Sequence, residues 1–294
     1  MKSEVYDMEF LTPCFCAGAN QSVPELRASS IRGQLRWWFR ALGGTRVDEM
    51  RVFGGIDAKK DKKPVASSII IRVQLISESK DWQMPDFKIN DDQAYVWYYA
   101  KVSGLDSNAT EEEKRKGGPR WAGNAYFAPG SKWKLQVCYR TSLGDLEQKF
   151  RSALKCFLAL GSIGLRVTRG LGGFHCKQQE FGEDIKQLLS SGGFAFEERK
   201  LDKKDFYDYV GSLVKGTREK FGWKNTDTIQ TPSPFGTSKP RQMSAVYFRK
   251  IKKDDGGYSL VVFSAPYSRV LGEESQKEIV VGTPSGLALN IQRH

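Results

Sequence analysis

An α+β fold is predicted by the order in which two periodicities alternate along the chain. Over residues 4 to 178 the pattern runs strand, helix, strand, strand, helix, strand, the βαββαβ order of a ferredoxin-like domain. Farther on, a Pro- and Ser-rich loop precedes two strands around Asp254-Asp255-Gly256-Gly257, a hairpin turn by composition. A length of 294 residues suits two domains better than one. The expected division is therefore residues 1–180 and a smaller α+β domain over residues 181–294.

Each element has a local reason. Glu4 to Leu11 sets Val5, Met8 and Phe10 among polar residues and closes on Thr12-Pro13, which reads as a strand. The first helix is expected to start at Ser29 or Ser30, either a good N-cap, and to end at Gly43-Gly44. Arg51 to Gly55 reads as a short connection and Asp57 to Lys63 as an exposed charged tip. Ser68 to Ile76 is β-branched and apolar, the pattern of a strand buried on both faces.

Tyr95-Val96-Trp97-Tyr98-Tyr99 reads as a strand, and Lys101 to Arg120 as a solvated charged excursion. Lys132 to Arg140 alternates, with Trp133, Leu135 and Val137 on one face. The clearest helix follows: Leu146, Phe150, Ala153, Leu154, Phe157 and Gly161 keep a helical period, with Ser142 and Asp145 at capping-box spacing. It runs into a glycine-rich loop, after which Phe174 to Gln178 returns as a short strand. In the second half, helices are predicted near Glu183 to Ser190 and Asp205 to Phe221. The hairpin strands are Ala245 to Ile251 and Tyr258 to Ala265, beyond the loop Thr231 to Pro240.

Composition narrows the function. Lys plus Arg number 46 against 34 Asp plus Glu, a net charge of +12, so a phosphate polymer or anionic surface is the default partner. No apolar run approaches the ~20 residues of a membrane span, and the first residues lack a signal-peptide core, which predicts a cytoplasmic protein without membrane contact. Five cysteines, an odd number, fit a reducing compartment. Cys14, Cys16, His175 and Cys176 could together supply zinc ligands. Neither pair has zinc-knuckle spacing, so buried strand cysteines are the plainer reading and no cofactor or metal is expected.

Two segments carry candidate chemistry. In Ser29 to Gly44, Ile31, Leu35, Trp38 and Leu42 form one buried stripe while Arg32, Arg36 and Arg40 form a second beside it. Like charges four apart repel, so such a row invites an anion, although a plain solvated face is the alternative. Trp37 beside the stripe suits base stacking or core packing. Arg46 extends the basic run.

The second segment, Gly161 to Gly173, has five glycines in thirteen residues together with Arg166, Thr168 and Arg169. Backbone N–H groups near Gly164 and Gly170 can approach a phosphate closely, and the loop lies where it can share a basic surface with the first helix. It is neither a P-loop nor a dinucleotide fingerprint, and a purely geometric turn is the alternative. General acid–base candidates are scarce: His175 and the terminal His294 are the only histidines, and Asp48, Asp57 and Asp61 are the aspartates expected in loops near basic segments.

Thr12-Pro13, Gly18-Ala19-Asn20 and Glu25-Leu26-Arg27-Ala28-Ser29-Ser30-Ile31-Arg32-Gly33-Gln34-Leu35-Arg36-Trp37-Trp38-Phe39-Arg40-Ala41-Leu42, together with the glycine loop Gly164 to Phe174, resemble the two motifs of RAMP proteins. Within that superfamily the pattern is similar to subunit one of the Cmr complex, the type III-B CRISPR effector. The resemblance implies two tandem ferredoxin-like (RRM-like) domains. It also implies a non-catalytic RNA-binding subunit of antiviral defence, which holds the 3′ region of the guide RNA and helps capture the complementary target RNA beside other RAMP subunits.

Backbone contacts suffice for that role, because guide pairing reads the sequence. The residues expected to contribute are Arg32, Arg36, Arg40, Trp37, Arg46, Gly164, Arg166, Thr168, Arg169 and Gly170. The chain departs from the family at Ala17-Gly18, where paired glycines are common, and at Leu171, where an aromatic is usual. The rival expectation is a RAMP endoribonuclease that processes CRISPR transcripts or cuts target RNA.

Overall fold

A computed structural model describes residues 2–20, 22–56, 64–85, 91–97, 125–201, 205–221, 235, 237–238, 241–242, 244, 246–266, 269, 277–282 and 288–293. The expected tip at 57–63 with Asp57 and Asp61, residues 98–124 with the charged excursion, most of the 231–240 loop and His294 lie outside them.

Four strands, β1 (Lys2–Phe10), β2 (Ile69–Ser77), β3 (Lys132–Tyr139) and β4 (Phe174–Cys176), form an antiparallel sheet in the order β2-β3-β1-β4. Period two turns Tyr6, Met8 and Phe10 of β1 toward the core and leaves Val5 on the outer face, 48% exposed. The register Tyr6↔Leu135↔Val73 then aligns the inward residues of three strands. β2 is the edge strand rather than a doubly buried one. Only Ile69 is buried, and Leu75 and Ile76 stay exposed, because the sheet ends there.

Helices α1 (Ala28–Ala41) and α4 (Glu147–Leu160) share one core with this sheet. Ile31, Leu35 and Trp38 are buried as the period requires, Leu42 only partly, and Phe39 and Ala41 join them. The N-cap of α1 is Arg27, two residues before Ser29 and three before Ser30, with no side-chain cap; Arg27 instead accepts the first backbone bonds from Ser30 and Ile31. Its other end turns at Gly43 (φ 95°), where Arg269 donates to the carbonyls of Ala41 (3.3 Å) and Gly192 (2.5 Å).

The expected connection at Arg51 belongs to helix α2 (Arg46–Phe53), which Thr45 caps by accepting from the Asp48 amide at 3.1 Å. The Tyr95 segment is also helical where described: α3 (Ala94–Trp97) buries Val96 and Trp97 on consecutive positions, which an alternating strand would not. Nor do Ser142 and Asp145 make a capping box. A 3-10 turn over Gly144–Leu146 separates them from α4, the Ser142 hydroxyl accepts from the Gly144 amide, and Asp145 binds Arg51 at 2.7 Å.

A second antiparallel sheet has the order β5-β9-β8, from β5 (Ala195–Lys200), β8 (Val246–Lys252) and β9 (Tyr258–Ser264). β5 is an element that the sequence reading lacks. Both faces of this sheet are covered: Tyr247, Val261 and Phe263 meet the core of α1 and α4, whereas Val246, Phe248, Leu260 and Val262 meet α6 (Phe206–Phe221). Trp38 joins the layers by stacking on Phe194 (5.7 Å) and Phe263 (5.6 Å). α5 (Glu183–Ser191) adds Ile185 and Leu189 to the same core. Two further hairpins, β6 (Thr237–Ser238) with β7 (Arg241–Gln242) and β10 (Lys277–Gly282) with β11 (Ala288–Arg293), complete the described strands.

Candidate nucleic-acid interface

The two motif segments lie against each other. Thr12 to Cys16 runs beside the glycine loop and exchanges main-chain bonds with it: Leu11 N–H to Gly173 O (2.9 Å), Gly172 N–H to Pro13 O (2.9 Å) and Leu165 N–H to Phe15 O (2.9 Å). The Thr12 hydroxyl is buried and accepts from the Gly173 amide at 2.8 Å. This close approach is why glycine stands at 164. Its φ is +92°, and a Cβ there would come within 2.4 Å of the Phe15 carbonyl oxygen. Gly170 (φ +87°) faces the Phe206 ring in the same way.

Beside this junction is a half-open cavity of about 390 Å³, lined among others by Cys16, Gly164 and Leu165 and, from α1 and the residue before it, by Arg27, Ser30 and Gln34. The loop thus meets the first helix, but on the Arg27/Ser30/Gln34 flank. At ~100° per residue, Arg32, Arg36 and Arg40 project from the other side of the buried stripe. Arg27 was not singled out from the sequence; its place four residues before Ile31 was the available signal.

The expected anion for the arginine row is already in the protein. Glu49 of α2, 4% exposed, accepts from Arg36 Nε and from Arg40 Nη1 (2.9 Å). Glu49 lies in the helix Arg46–Phe53, an element that the sequence reading lacks. Arg32 makes no ion pair among the described residues, and burial and then the charge of Arg36 lower its pKa. Arg46 is exposed at the start of α2. Trp37 packs against Tyr247 of β8 (5.0 Å) and edge-on against Trp38 (5.0 Å), so it bridges to the second sheet.

The loop arginines turn inward. Arg166 takes a left-handed conformation (φ 60°) and donates to the carbonyls of Tyr95 and Val96, fastening α3 to the loop. Arg169 is 7% exposed; it donates to the Phe235 carbonyl (2.9 Å) and lies 4.0 Å from the Tyr95 ring centroid, which Arg218 approaches to 5.0 Å. Burial lowers the Arg169 pKa to about 10, with Tyr95 opposing and Arg166 and Arg218 assisting, so the group stays cationic at neutral pH. Arg249 of β8 donates to the carbonyls of Leu160 (2.7 Å) and Val167, and burial lowers it to about 9. Thr168 is half-buried in the 3-10 turn Val167–Arg169.

The cysteines do not converge with His175. Cys14 and Cys16 are in contact at 3.4 Å, whereas Cys176 bonds Gln178 at 3.6 Å. Among the described residues no three His, Cys, Asp or Glu side chains are grouped to hold a metal ion. Cys14 and Cys16 also lie outside regular strands. Asp48 is on a helix, not in a loop: it occupies the first turn of α2, and its carboxylate accepts from Lys149 at 2.9 Å. No helix among the described residues is long and apolar enough to cross a membrane.

A sheet flanked by two helices, the Thr12-Pro13 segment and a glycine loop laced to it are the parts of a RAMP protein, and the chain belongs to the RAMP superfamily, whose pattern matches residues 7–175. Within that superfamily it resembles Cmr1. It is 26% identical to CRISPR system Cmr subunit Cmr1-1 of Pyrococcus furiosus over 226 residues, 74% of this chain and 57% of that protein. With Cmr1-2 of the same organism it shares 27% over 187 residues, 58% of this chain and 94% of the relative. The chain thus spans little more than half the length of Cmr1-1.

The crystal structure of Cmr1 from Pyrococcus furiosus in its apo form superposes with a TM-score of 0.53 at 16% identity, covering 99% of this chain and 94% of that one. A chain of the type III-B Cmr-beta complex bound to cognate target RNA gives 0.51 at 12% identity, covering 88% and 94%. Both share the fold.

Proposed function

We propose that the protein is a non-catalytic RNA-binding subunit of a type III-B CRISPR effector complex, holding the 3′ region of the guide RNA and helping to admit the complementary target RNA beside other RAMP subunits. The observation that carries this reading is the cavity between the glycine loop and the first helix, where Arg27, Ser30 and Gln34 place a cation and two polar side chains opposite Gly164 and Leu165. Arg32 and Arg46, which form no ion pair among the described residues, extend the basic surface around α1; Arg36, Arg40 and Trp37 support it from behind. Gly164, Thr168 and Gly170 shape the loop, and Arg166 and Arg169 hold its inner side. Such contacts read phosphate and sugar, leaving the sequence to base pairing.

The tandem ferredoxin-like description, with domains at 1–180 and 181–294, has its own support. β5, α6, β8 and β9 repeat the connection order of β1, α1, β2 and β3, and both sheets place the third strand between the other two. Against the nuclease alternative, Asp48 is held by Lys149 away from the loop, and His175 lies on β4 with its pKa lowered by burial and then by Lys252.

The test is a titration of the full chain with single-stranded RNA at several salt concentrations. Sequence-independent binding is expected, with log K falling by ~0.7 per neutralised phosphate against log[salt], and Arg27→Gln and Arg32→Gln should each flatten the slope by about that amount. Absence of binding at low salt, or a slope of zero, refutes the reading.

A further inference from the structure

The wall of the cavity holds one of two touching thiols, Cys16, that RNA binding does not use. Cys14 is fully buried and Cys16 half-buried at the cavity lining, with Sγ atoms 3.4 Å apart and Cys14 donating to Cys16. That is contact distance for two sulfurs, against ~2.05 Å for a formed disulfide. Arg27 stands on the same wall. Cys138 and Cys156 are buried, and Cys176 is paired with Gln178, so among the described residues no other two thiols touch.

We propose that Cys14 and Cys16 are a peroxide-reactive dithiol, with Cys16 the attacking sulfur and Cys14 the resolving one. The Cys16 thiolate attacks the O–O bond of a hydroperoxide entering the cavity; a sulfur–oxygen bond forms, the O–O bond breaks, and the leaving oxygen takes a proton to become an alcohol or water. Cys14 then gives its proton to the sulfenic hydroxyl, its sulfur displaces water, and the S–S bond forms. Two thiols are oxidised and one hydroperoxide is reduced to alcohol and water.

The electrostatics agree with this division of labour. The hydrogen bond from Cys14, and the charge of Arg27 with it, lower the Cys16 thiol against the effect of burial, while burial raises Cys14 well above its ordinary value. The reaction also reaches the loop, because Cys14 Sγ lies 3.3 Å from the Ile163 carbonyl oxygen, the alternative acceptor for its one proton, and that proton is lost on closure.

The experiment treats the reduced full chain with graded hydrogen peroxide and maps each cysteine by mass spectrometry. The peptide carrying residues 14 and 16 should lose two hydrogens on the order of tenfold faster than Cys138, Cys156 or Cys176 is modified, and a dithiol reductant should restore it. Cys14→Ser should stop at a Cys16 sulfenic acid trapped by dimedone, and Cys16→Ser should leave Cys14 unreacted. Equal rates at all five cysteines, or no dimedone adduct in folded Cys14→Ser, overturn the proposal. The wild-type map decides alone if a variant does not fold.

Discussion

Replacing Arg36 and Arg40 together by glutamine should cost stability through a residue that neither substitution changes. The Glu49 side chain is 6% exposed and takes its hydrogen bonds from Arg36 Nε and from Arg40 Nη1 at 2.9 and 3.0 Å. Removing both partners strands a carboxylate that water reaches poorly. Breaking a fully buried pair costs about 3–5 kcal/mol, and an exposed one less than about 1. The two arginine side chains are 36% and 39% exposed, so screening moves the expected value to about 2 kcal/mol. Adding Glu49→Gln removes the stranded charge and should return at least half of that loss. Urea unfolding of the four proteins, wild type, the double variant, Glu49→Gln and the triple variant, yields the coupling as a double-mutant cycle. If the double variant unfolds at the wild-type midpoint, the arginines are solvated cations and Glu49 is not their counterion.

Other parts of the framework respond in distinct ways. Trp38→Ala empties the contact with Phe194 and Phe263 and should cost ~3–5 kcal/mol in the same unfolding assay, with no effect on RNA affinity in the still-folded protein. Burial pushes the Glu4 carboxyl up, but hydrogen bonds from Tyr6 (2.9 Å) and Tyr139 (3.1 Å) and the Arg151 guanidinium bring it below its ordinary value. A depressed carboxyl contributes stability above its unfolded pKa of about 4.3, and that contribution is lost as pH falls through the folded value. Melting temperatures of Glu4→Gln should therefore approach those of wild type as pH falls below about 4.3 and through the lower folded value; parallel curves would refute the assignment.

Periodicity made the amphipathic elements legible. α1, α4 and α6, the hairpin β8–β9 and β1 follow from spacing alone, because one buried face imposes its repeat on the residues. Short elements whose identity depends on tertiary contacts were not readable. β5 exists because β9 offers it a pairing edge, and α3 because Arg166 holds its carbonyls. The apolar run of β2 read as interior, yet edge position is a property of the sheet and not of the strand. At the site, the sequence could place arginines on a helix face but not their counterion, since Glu49 reaches them only through the turn into α2. Arg166 and Arg169 stood out as phosphate donors; Arg166 bonds the Tyr95 and Val96 carbonyls, and Arg169 is buried against the Tyr95 ring with one bond to the Phe235 carbonyl.

Arg249 bears on how such a chain can be cut and recombined. It belongs to the second sheet, yet its guanidinium closes the end of α4 at Leu160 and the loop at Val167, and in that position it is 4% exposed. A fragment ending near residue 180 would expose those carbonyls and the aromatic faces on which Phe194 and Phe263 rest, while in the complementary fragment Arg249 would keep only the Phe248 carbonyl (2.7 Å) and the Tyr247 and Phe263 rings and lose its bonds to Leu160 and Val167. The halves are thus not interchangeable cassettes. A chimera joining this N-terminal half to another protein's C-terminal half has to import an arginine at the same place on its strand, and a split-protein version is expected to assemble only as a pair.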